Sequence, residues 1–312
     1  MVMQEQVVFV TGASRGFGQA ATQELVQRGH RVVATMRDPE RDGPDLLGNT
    51  WGADSDGNGA AVKRDQVAIT RCDVTDRESV DAAVAFAYDT FGHIDVVYNN
   101  AGYGLYGMIE ELEDEEVHDQ FDTNVLGQIR VIRAALPRMR EREKGKVINT
   151  SSLAGRLSGP LTGLYAASKH AVEAMSEAVR LEVAGSGLQV TILEPGMFVS
   201  DWQTSSLAVS RVVREGRSRF QQVVDETLEA FRARAATRPG SRAVAVAVAD
   251  IVELEQPLPM RWPVGEDTHE LIALRNASTD SQWEEILKTS EGYRSVFFRA
   301  ILAAAEAARP RR

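Results

Sequence analysis

The sequence contains little of the chemistry typical of secreted, membrane-spanning or nucleic-acid-binding proteins. Cys72 is the only cysteine among 312 residues, which excludes an intrachain disulfide and gives no sign of secretion. The 35 Lys and Arg residues are outnumbered by 45 Asp and Glu, so a net charge of -10 offers no basis for nucleic-acid binding. No apolar run approaches the roughly 20 residues that a membrane-spanning helix needs.

The N-terminal segment is also short of targeting signals. Residues 1–6 are polar and lead directly into a strand-like segment, so we predict no signal peptide and a cytoplasmic protein. The hydrophobic fraction of 43% and the charged fraction of 26% are ordinary for a soluble enzyme. A chain of this length can bury a substantial core, and we expect residues 1–312 to form a single domain.

A glycine-rich loop near the N-terminus predicts dinucleotide binding. Gln6–Val10 is a short apolar segment rich in β-branched residues, and an amphipathic segment that ends at Gly29 follows the loop. Between them, Gly12, Gly16 and Gly18 allow a tight turn and a close approach of the backbone to a ligand. The helix N-terminus that follows offers free N–H groups to a pyrophosphate.

The residues after the second predicted strand, Arg31–Thr35, bear on the choice between NAD and NADP. Asp38 has the spacing of an acid that binds the ribose 2′-hydroxyl of NAD. However, Asp38 precedes Pro39, as a helix cap does, whereas Arg37 is nearer the strand end. An arginine there would bind the 2′-phosphate of NADP, and Arg15, in the glycine loop, can reach the same phosphate. We therefore favour NADP(H) and keep NAD(H) as the alternative.

The next segment has few clear signals. Arg41–Arg64 is polar and aperiodic, which predicts a surface insertion without a chemical role. Val67–Thr70 predicts a strand that ends near Asp73, whose carboxylate either binds an adenine amino group or closes an ordinary turn. Thr75–Glu78 has the pattern of a capping box, which predicts a helix that extends to about Phe91.

Amide side chains follow the fourth predicted strand, Ile94–Tyr98. Asn99–Gly102 suits a tight backbone passage beside a nucleotide, and bracing of the sheet is an equally good explanation. The acidic segment Glu110–Glu116 predicts the start of a helix that contains Asn124. An Asn inside a helix either has a functional role or marks a structural kink, and its position favours neither.

The segment 149–169 contains the residues with the clearest potential for catalysis. Tyr165 and Lys169 are four residues apart in an Ala-rich, helix-like run, so a phenol and an ammonium share one helical face. A fixed cation is expected to lower the pKa of the phenol from about 10. Ser152 follows the predicted strand Val147–Thr150, where its hydroxyl can donate to the same substrate oxygen.

Taken together, these segments resemble the short-chain dehydrogenase/reductase family over residues 6–200. The motifs of the resemblance are Thr11-Gly-x-x-x-Gly-x-Gly18, Asn99-Asn-Ala-Gly102, Asn124, Ser152, Tyr165-x-x-x-Lys169 and Pro195-Gly196. Asn99–Gly107 and Glu194–Phe198 further resemble the branch of 17β-hydroxysteroid and retinol dehydrogenases. Strands that alternate with amphipathic helices also predict an α/β fold, a Rossmann-type doubly wound parallel sheet flanked by helices, with a helical C-terminal extension.

The resemblance implies a role for each catalytic candidate. Tyr165 would be the general acid in carbonyl reduction and the base in alcohol oxidation. Lys169 would lower the pKa of Tyr165 and hold the nicotinamide ribose, and Ser152 would polarise the carbonyl. Asn124 would support a water-borne proton path to Lys169.

The resemblance also implies a set of cofactor-binding residues. Pro195 and Gly196 would contact the nicotinamide amide, and Phe198 and Ser200 are further candidates, since Ser200 stands where family members often have Thr. The NAD-type acid of the family aligns with Met36, which supports NADP(H). The full predicted set is Gly12, Ser14, Arg15, Gly16, Phe17, Gly18, Arg37, Asp73, Val74, Asn100, Ala101, Gly102, Tyr165, Lys169, Pro195, Gly196, Phe198 and Ser200.

The remaining segments are expected to set substrate specificity. We expect a largely apolar pocket lined by Tyr103, Leu105, Leu153, Leu161, Leu164, Met197, Phe198 and Trp202. Residues 203–240 resemble the variable segment that covers the site, and a helical lid is predicted. Ala243–Leu254 fits either a strand or a helix, Met260–Val264 predicts the last strand, and residues 241–312 complete the domain. For Trp283, Tyr293, Phe297 and Phe298 we expect packing or a subunit interface rather than ligand contact.

The resulting prediction is an NAD(P)-dependent oxidoreductase that transfers a hydride between nicotinamide and an apolar ketone, aldehyde or secondary alcohol. The family resemblance implies a homo-oligomer, either a dimer or a tetramer. A zinc-dependent alcohol dehydrogenase is disfavoured, because one Cys and five scattered His residues supply no metal site. The glycine spacing disfavours an extended-branch epimerase. A non-catalytic redox sensor is the alternative of a different class, and the intact Asn, Ser, Tyr and Lys set argues against it.

Overall fold

The computed structural model describes residues 4–47, 66–198, 207–235, 240–255 and 257–289. Within them, seven parallel strands form one sheet in the order β3-β2-β1-β4-β6-β7-β9. The strands are β1 (Val7–Val10), β2 (Arg31–Met36), β3 (Val67–Arg71), β4 (Val96–Asn99), β6 (Gly145–Thr150), β7 (Leu188–Pro195) and β9 (Arg261–Val264). The strand order reverses between β1 and β4, and ligands of open α/β sheets bind at such a point.

Helices connect these strands and cover both faces of the sheet. They are α1 (Gly16–Gln27), α2 (Pro39–Leu47), α3 (Arg77–Phe91), α4 (Asp114–Phe121), α5 (Gly127–Glu141), α6 (Gly163–Glu182), α7 (Arg211–Arg214), α8 (Gln221–Ala235), α9 (Arg242–Glu253), α10 (Glu266–Ala277) and α11 (Asp280–Thr289). A second sheet pairs β5 (Gly104–Tyr106) with β8 (Leu207–Val209) in parallel. The predicted Rossmann-type fold is confirmed.

The core consists of two apolar layers, one on each face of the sheet. Val8 and Val10 of β1 pack with α1 and α9, whereas Phe9 packs with α3 and α5 on the other face. This alternation is what a strand buried on both faces requires, and it explains why the strands are continuous apolar runs. A third, smaller cluster joins Tyr106 of β5 to apolar residues of α7 and α8.

The segment that fits either a strand or a helix, Ala243–Leu254, is helix α9. Val244, Val248 and Ile251 are fully buried and lie on the face that packs against α1. Ala and Val alternate along the segment, but nearly all of these side chains are small enough for a helix enclosed on most sides. Helix burial therefore overrides the strand-like pattern.

Two local predictions need correction. The cap of α3 is Asp76, whose carboxylate accepts from the Glu78 N–H, whereas the Thr75 hydroxyl donates to Asp73 and makes no capping box. The first residues of the predicted aperiodic insertion, 41–47, belong to helix α2. Burial of Leu46 against the sheet holds this helix in place. The rest of that insertion lies outside the described residues.

Among the described residues, no helix is long and apolar enough to cross a membrane. No cluster of His, Cys, Asp or Glu in the same part of the chain could hold a metal ion.

Candidate active site

A cavity of about 850 Å³ opens at the C-terminal edge of the main sheet. Residues that follow β1, β2, β3, β4, β6 and β7 line one part of it, and side chains of α8, α10 and α11 line another. The ends of parallel strands meet at one edge, so motifs that are far apart in the sequence come together here. All predicted cofactor residues line this cavity except Gly18, which lies behind the loop, and Ser200, which lies outside the described residues.

The glycine loop after β1 is shaped by close backbone packing. A Cβ atom on Gly18 would lie 2.3 Å from the Gly12 carbonyl oxygen, so only glycine fits there. Gly12 has a φ of +67°, in the region that favours glycine. The Asn100 amide donates to the carbonyl oxygens of Thr11 and Gly12 at 2.9 and 3.1 Å, which ties the loop to the end of β4.

The loop leaves open space for a ligand at Gly16. This residue has a φ of +60°, and no other described residue, apart from its neighbours along the chain, has an atom within 4 Å of the position that its Cβ would take. Helix α1 begins there without a side-chain cap and without an acidic residue in its first turn. Its positive end and free N–H groups suit an anion, so the residues present fit the pyrophosphate of a dinucleotide.

Two arginines stand beside this helix end. Arg15 and Arg37 both line the cavity. The pKa of Asp42 lies below its ordinary value, first through a hydrogen bond from Arg41, with further contributions from the charges of Arg41, Arg15 and Arg37. One carboxylate therefore lies within electrostatic reach of both arginines.

Asp38 has a structural role at the start of α2. Its carboxylate accepts from the Arg41 N–H at 3.1 Å, and Asp38 is not among the residues that line the cavity. The expected helix cap is confirmed. Met36, at the position of the NAD-type acid in the family resemblance, does line the cavity and carries no charge.

Asp73 and the two asparagines combine structural and cavity-lining positions. The Asp73 carboxylate accepts from the N–H and hydroxyl of Thr75 at 3.0 and 2.7 Å, and Asp73 also lines the cavity. Asn99 donates to Asn149 of the neighbouring strand at 2.8 Å, which braces the sheet. Asn100 instead lines the cavity and holds the glycine loop. Asn99 thus fits the bracing explanation, whereas Asn100 has the position that a passage beside a nucleotide requires.

Asn124 occupies a π-helical turn, Asp122–Leu126, between α4 and α5. Its side chain accepts from the Tyr103 N–H at 3.0 Å and donates to the Tyr103 carbonyl at 2.9 Å. It also donates to the Ser168 hydroxyl at 3.1 Å. Asn124 therefore lies in an irregular helical turn, as the kink interpretation expects. It also contacts α6, the helix that contains Tyr165 and Lys169. The Cβ position of Gly102 lies 3.0 Å from Asn124 Oδ1 and 3.7 Å from Lys169 Nζ, so both side chains approach the same glycine.

Ser152 follows β6 and caps a short 3₁₀ turn, Leu153–Gly155. Its hydroxyl accepts from the Ala154 N–H at 3.1 Å and lies 3.5 Å from the Pro195 carbonyl. It also forms a hydrogen bond with Tyr165. The sequence predicts that the hydroxyls of Ser152 and Tyr165 meet at one substrate oxygen. Their hydrogen bond places the two hydroxyls close enough for that.

Tyr165 and Lys169 lie one turn apart on α6, as predicted. Lys169 Nζ lies 5.7 Å from the centre of the Tyr165 ring and donates to the Thr150 carbonyl at 2.8 Å. Burial lowers the pKa of Lys169 to about 8. Burial also raises the pKa of Tyr165 to about 12, and the hydrogen bond with Ser152 opposes this rise only in part. The predicted lowering of the phenol pKa is therefore wrong, because desolvation raises this pKa and the influence that opposes it comes from Ser152 rather than from Lys169.

The loop after β7 closes the cavity next to these residues. Gly196 donates its N–H to the Val264 carbonyl of β9 at 2.9 Å, which fixes the loop to the sheet. Pro195, Gly196, Met197 and Phe198 line the cavity. The Phe198 ring meets that of Phe17 edge-on, with ring centres 6.0 Å apart, and so connects this loop with the glycine loop.

The apolar wall differs in part from the prediction. Tyr103, Leu153, Met197 and Phe198 line the cavity, whereas Leu105, Leu161 and Leu164 do not. Leu161 is buried instead in the cluster beneath α8. Trp202 lies outside the described residues. The wall residues that sequence reasoning missed or assigned to packing are Tyr106, Phe231, Leu271, Trp283, Ile286 and Leu287.

Trp283, for which packing or a subunit interface was expected, lines the cavity. Trp283, Ile286 and Leu287 lie on one face of α11, and all three line the cavity. Their spacing was a readable signal of an apolar helical face. The sequence alone could not show that this face closes a site formed by residues more than 80 positions earlier.

Comparison with known proteins identifies the family. Residues 6–209 match the family model of the short chain dehydrogenases. An uncharacterized oxidoreductase of Bacillus subtilis, YusZ, is 31% identical over 286 residues, which cover 92% of this chain and 98% of that protein. The crystal structure of a short-chain dehydrogenase from Streptomyces avermitilis is 32% identical and superposes with a TM-score of 0.73, covering 93% of this chain and 99% of the other.

Solved structures with the same fold also contain nicotinamide nucleotides. A short-chain dehydrogenase/reductase from Burkholderia phymatum, in complex with NAD, is 26% identical with a TM-score of 0.70, covering 88% of this chain and 94% of the other. ElxO, with NADP bound, is 22% identical with a TM-score of 0.65 over 86% of this chain and 100% of the other, and this likeness concerns the fold. On the family match and the oxidoreductase relative, the chain belongs to the short-chain dehydrogenase/reductase family of NAD(P)-dependent oxidoreductases.

Proposed function

We propose that this protein uses NADP(H) to interconvert an apolar ketone or aldehyde and the corresponding alcohol. The observation that carries the proposal is the position of Ser152, Tyr165 and Lys169 in the cavity, which the glycine loop and an apolar wall also line. The bound nucleotide would supply or accept the hydride. The protein itself must then bind the nucleotide, hold the carbonyl beside it and move one proton.

NADP(H) is favoured over NAD(H) by the residues after β2. Arg37 lines the cavity, Met36 offers no carboxylate to a ribose 2′-hydroxyl, and Asp38 caps α2. Arg15 adds a second positive charge at the same side. Two arginines suit a 2′-phosphate, and a guanidinium binds phosphate through paired N–H groups. NAD(H) is the alternative cofactor, because the relative from Burkholderia phymatum contains NAD.

Tyr165 is proposed as the proton donor in carbonyl reduction. With a pKa of about 12 its phenol is protonated at neutral pH, which is the form that a general acid needs. Ser152, hydrogen-bonded to Tyr165 here, would turn its single hydroxyl proton to the carbonyl oxygen, which would then accept one hydrogen bond from each of the two side chains. In alcohol oxidation Tyr165, in its phenolate form, would be the base that receives the proton of the alcohol.

Lys169 and Asn124 are proposed to act behind Tyr165. The pKa of Lys169 is about 8, so the side chain is largely an ammonium at neutral pH and can replace the proton that Tyr165 gives up. The Asn124 amide bonds to the Tyr103 backbone, and the side chains of Asn124 and Lys169 both lie next to Gly102. This proximity suits the expected proton path. Asp73, Asn100, Pro195 and Gly196 would contact the nucleotide. The redox-sensor alternative has no support among the relatives described above. A cytoplasmic dimer or tetramer stays a prediction.

The test is nucleotide binding followed by turnover with a panel of apolar ketones and aldehydes. We expect purified protein to bind NADPH more tightly than NADH and to oxidise NADPH with at least one panel member, seen as loss of absorbance of the reduced nicotinamide. A protein that binds neither nucleotide would overturn the proposal. Binding without turnover across a broad panel would favour the sensor.

A further inference from the structure

A buried carboxylate lies one helical turn beyond Lys169. Glu173, also on α6, is only 6% exposed, and side chains four residues apart share one helix face. Its Oε2 accepts from Arg261 Nε at 3.0 Å, whereas Oε1 has no hydrogen-bond partner in the described part of the chain. A buried carboxylate oxygen without a hydrogen-bond partner lowers the stability of the fold, which suggests that Glu173 has a functional role.

The other charges around Glu173 come from three further elements. Arg261 of β9 also lies 3.6 Å from Glu194 of β7, and Arg156, after the Ser152 turn, donates to Glu194 at 3.0 Å. Arg261 pairs in addition with Glu177 of α6. Three carboxylates thus face two guanidinium groups. Burial and repulsion from Glu173 raise the pKa of Glu194, so the charge of Glu173 acts on the neighbouring carboxylate.

Within the described part of the chain, the other groups found next to Lys169 are uncharged. They are the Tyr165 ring on α6, the Thr150 carbonyl of β6 and, through Gly102, the Asn124 amide of the π-helical turn. Burial lowers the pKa of Lys169, and the charge of Glu173 is what opposes that fall. Without an opposing negative charge, an ammonium enclosed in this way loses its proton more readily.

We propose that Glu173 is a positioning residue that holds Lys169 as an ammonium through its buried charge, while Arg261 limits how much of that charge Lys169 experiences. The inference deepens the proposed function and rests on it. Glu177 provides the contrast, because it also pairs with Arg261 from the same helix but is 46% exposed and lies two turns from Lys169. Solvent screens its charge.

The test compares Glu173→Gln with Glu177→Gln in the pH profile of kcat/KM for carbonyl reduction. The basic limb reports loss of the Lys169 proton. Removing the Glu173 charge lowers the pKa of Lys169, so the limb should move to lower pH by roughly one unit. For Glu177→Gln we expect a shift below about 0.3 units, because the charge is exposed. Equal shifts in both variants, or an unmoved limb in Glu173→Gln, would overturn the inference.

Two further variants separate charge from packing. Glu173→Asp keeps the charge and should return the limb toward its wild-type position. Arg261→Gln removes the counter-charge and should move the limb to higher pH, and this variant decides the matter even if Glu173→Gln does not fold. A downward shift in Arg261→Gln contradicts the inference. A wild-type protein without any carbonyl turnover contradicts instead the proposed function, so the two failures are distinct.

Discussion

The cavity has two parts, the proposed nucleotide side and an outer wall, and the two are built differently. The nucleotide side consists of short segments directly after strands, such as Gly12, Asp73 and Asn100, which hydrogen bonds between side chains and the backbone hold in place. The outer wall consists of side chains such as Phe231 and Trp283 on helices outside the main sheet. Sheet geometry fixes the first side, whereas helix packing forms the second. In the proposed function, the first side would hold the nucleotide and the second would contact the substrate.

The sharpest test of this division is at the junction of the two sides. Tyr165→Phe removes the proposed proton donor and should reduce carbonyl turnover about a thousandfold, while the dissociation constant for NADPH changes little. Tyr88→Phe is the matched control, since it removes a phenol hydroxyl from α3, outside the cavity, and should leave turnover near the wild-type value. Steady-state kinetics and nucleotide titration measure both effects. Turnover retained in Tyr165→Phe would sink the mechanism.

The nucleotide side can be altered alone through Arg37. Arg37→Gln should weaken NADPH binding by about ten- to a hundredfold, because a charge-assisted bond to phosphate is lost, and leave NADH binding nearly unchanged. Arg41→Gln is the control, because Arg41 is paired with Asp42 and does not line the cavity. Fluorescence titration with each nucleotide gives the constants. An equal loss for NADH and NADPH would contradict a 2′-phosphate contact.

The outer wall can be altered alone through Phe231. Its ring lies against that of Tyr106, with ring centres 5.4 Å apart. Phe231→Ala removes apolar surface from the wall and should raise KM for a bulky apolar ketone about fivefold, with NADPH affinity unchanged. Phe220→Ala changes a neighbouring ring that packs in the same cluster without lining the cavity, so it should leave KM near the wild-type value. A Phe231 variant that loses nucleotide affinity instead would show that the two sides are not separable.

The same division explains what the sequence could predict. The strand ends and their motifs were predictable because Gly12, Asn100 and Tyr165 belong to local patterns that parallel pairing brings to one edge. Trp283 was not, because no local pattern records which distant surface a helix covers. The family match ends at residue 209, before α8 and α11. The resemblance suggested a helical lid over residues 203–240, where α8 lies, but gave nothing for α11.

Electrostatics and burial account for the other differences. The spacing of Tyr165 and Lys169 correctly predicted a shared helix face, but the sign of the phenol pKa shift depends on how deeply both groups are buried. The number of residues between them does not contain that information. The alternation of Ala243–Leu254 left strand and helix both open for the same reason, because burial on most sides of α9 decided its structure.

The attachment of Asn100 to the glycine loop has a consequence for the thermodynamics of binding. The amide holds the Thr11 and Gly12 carbonyls, and the Thr11 hydroxyl accepts from the N–H groups of Asn100 and Ala101 at 3.0 Å each. The ordering of this loop is thus part of folding, and an arriving nucleotide loses little affinity to loop entropy. Association should accordingly need no slow rearrangement of the loop, so its rate should depend on access to the cavity.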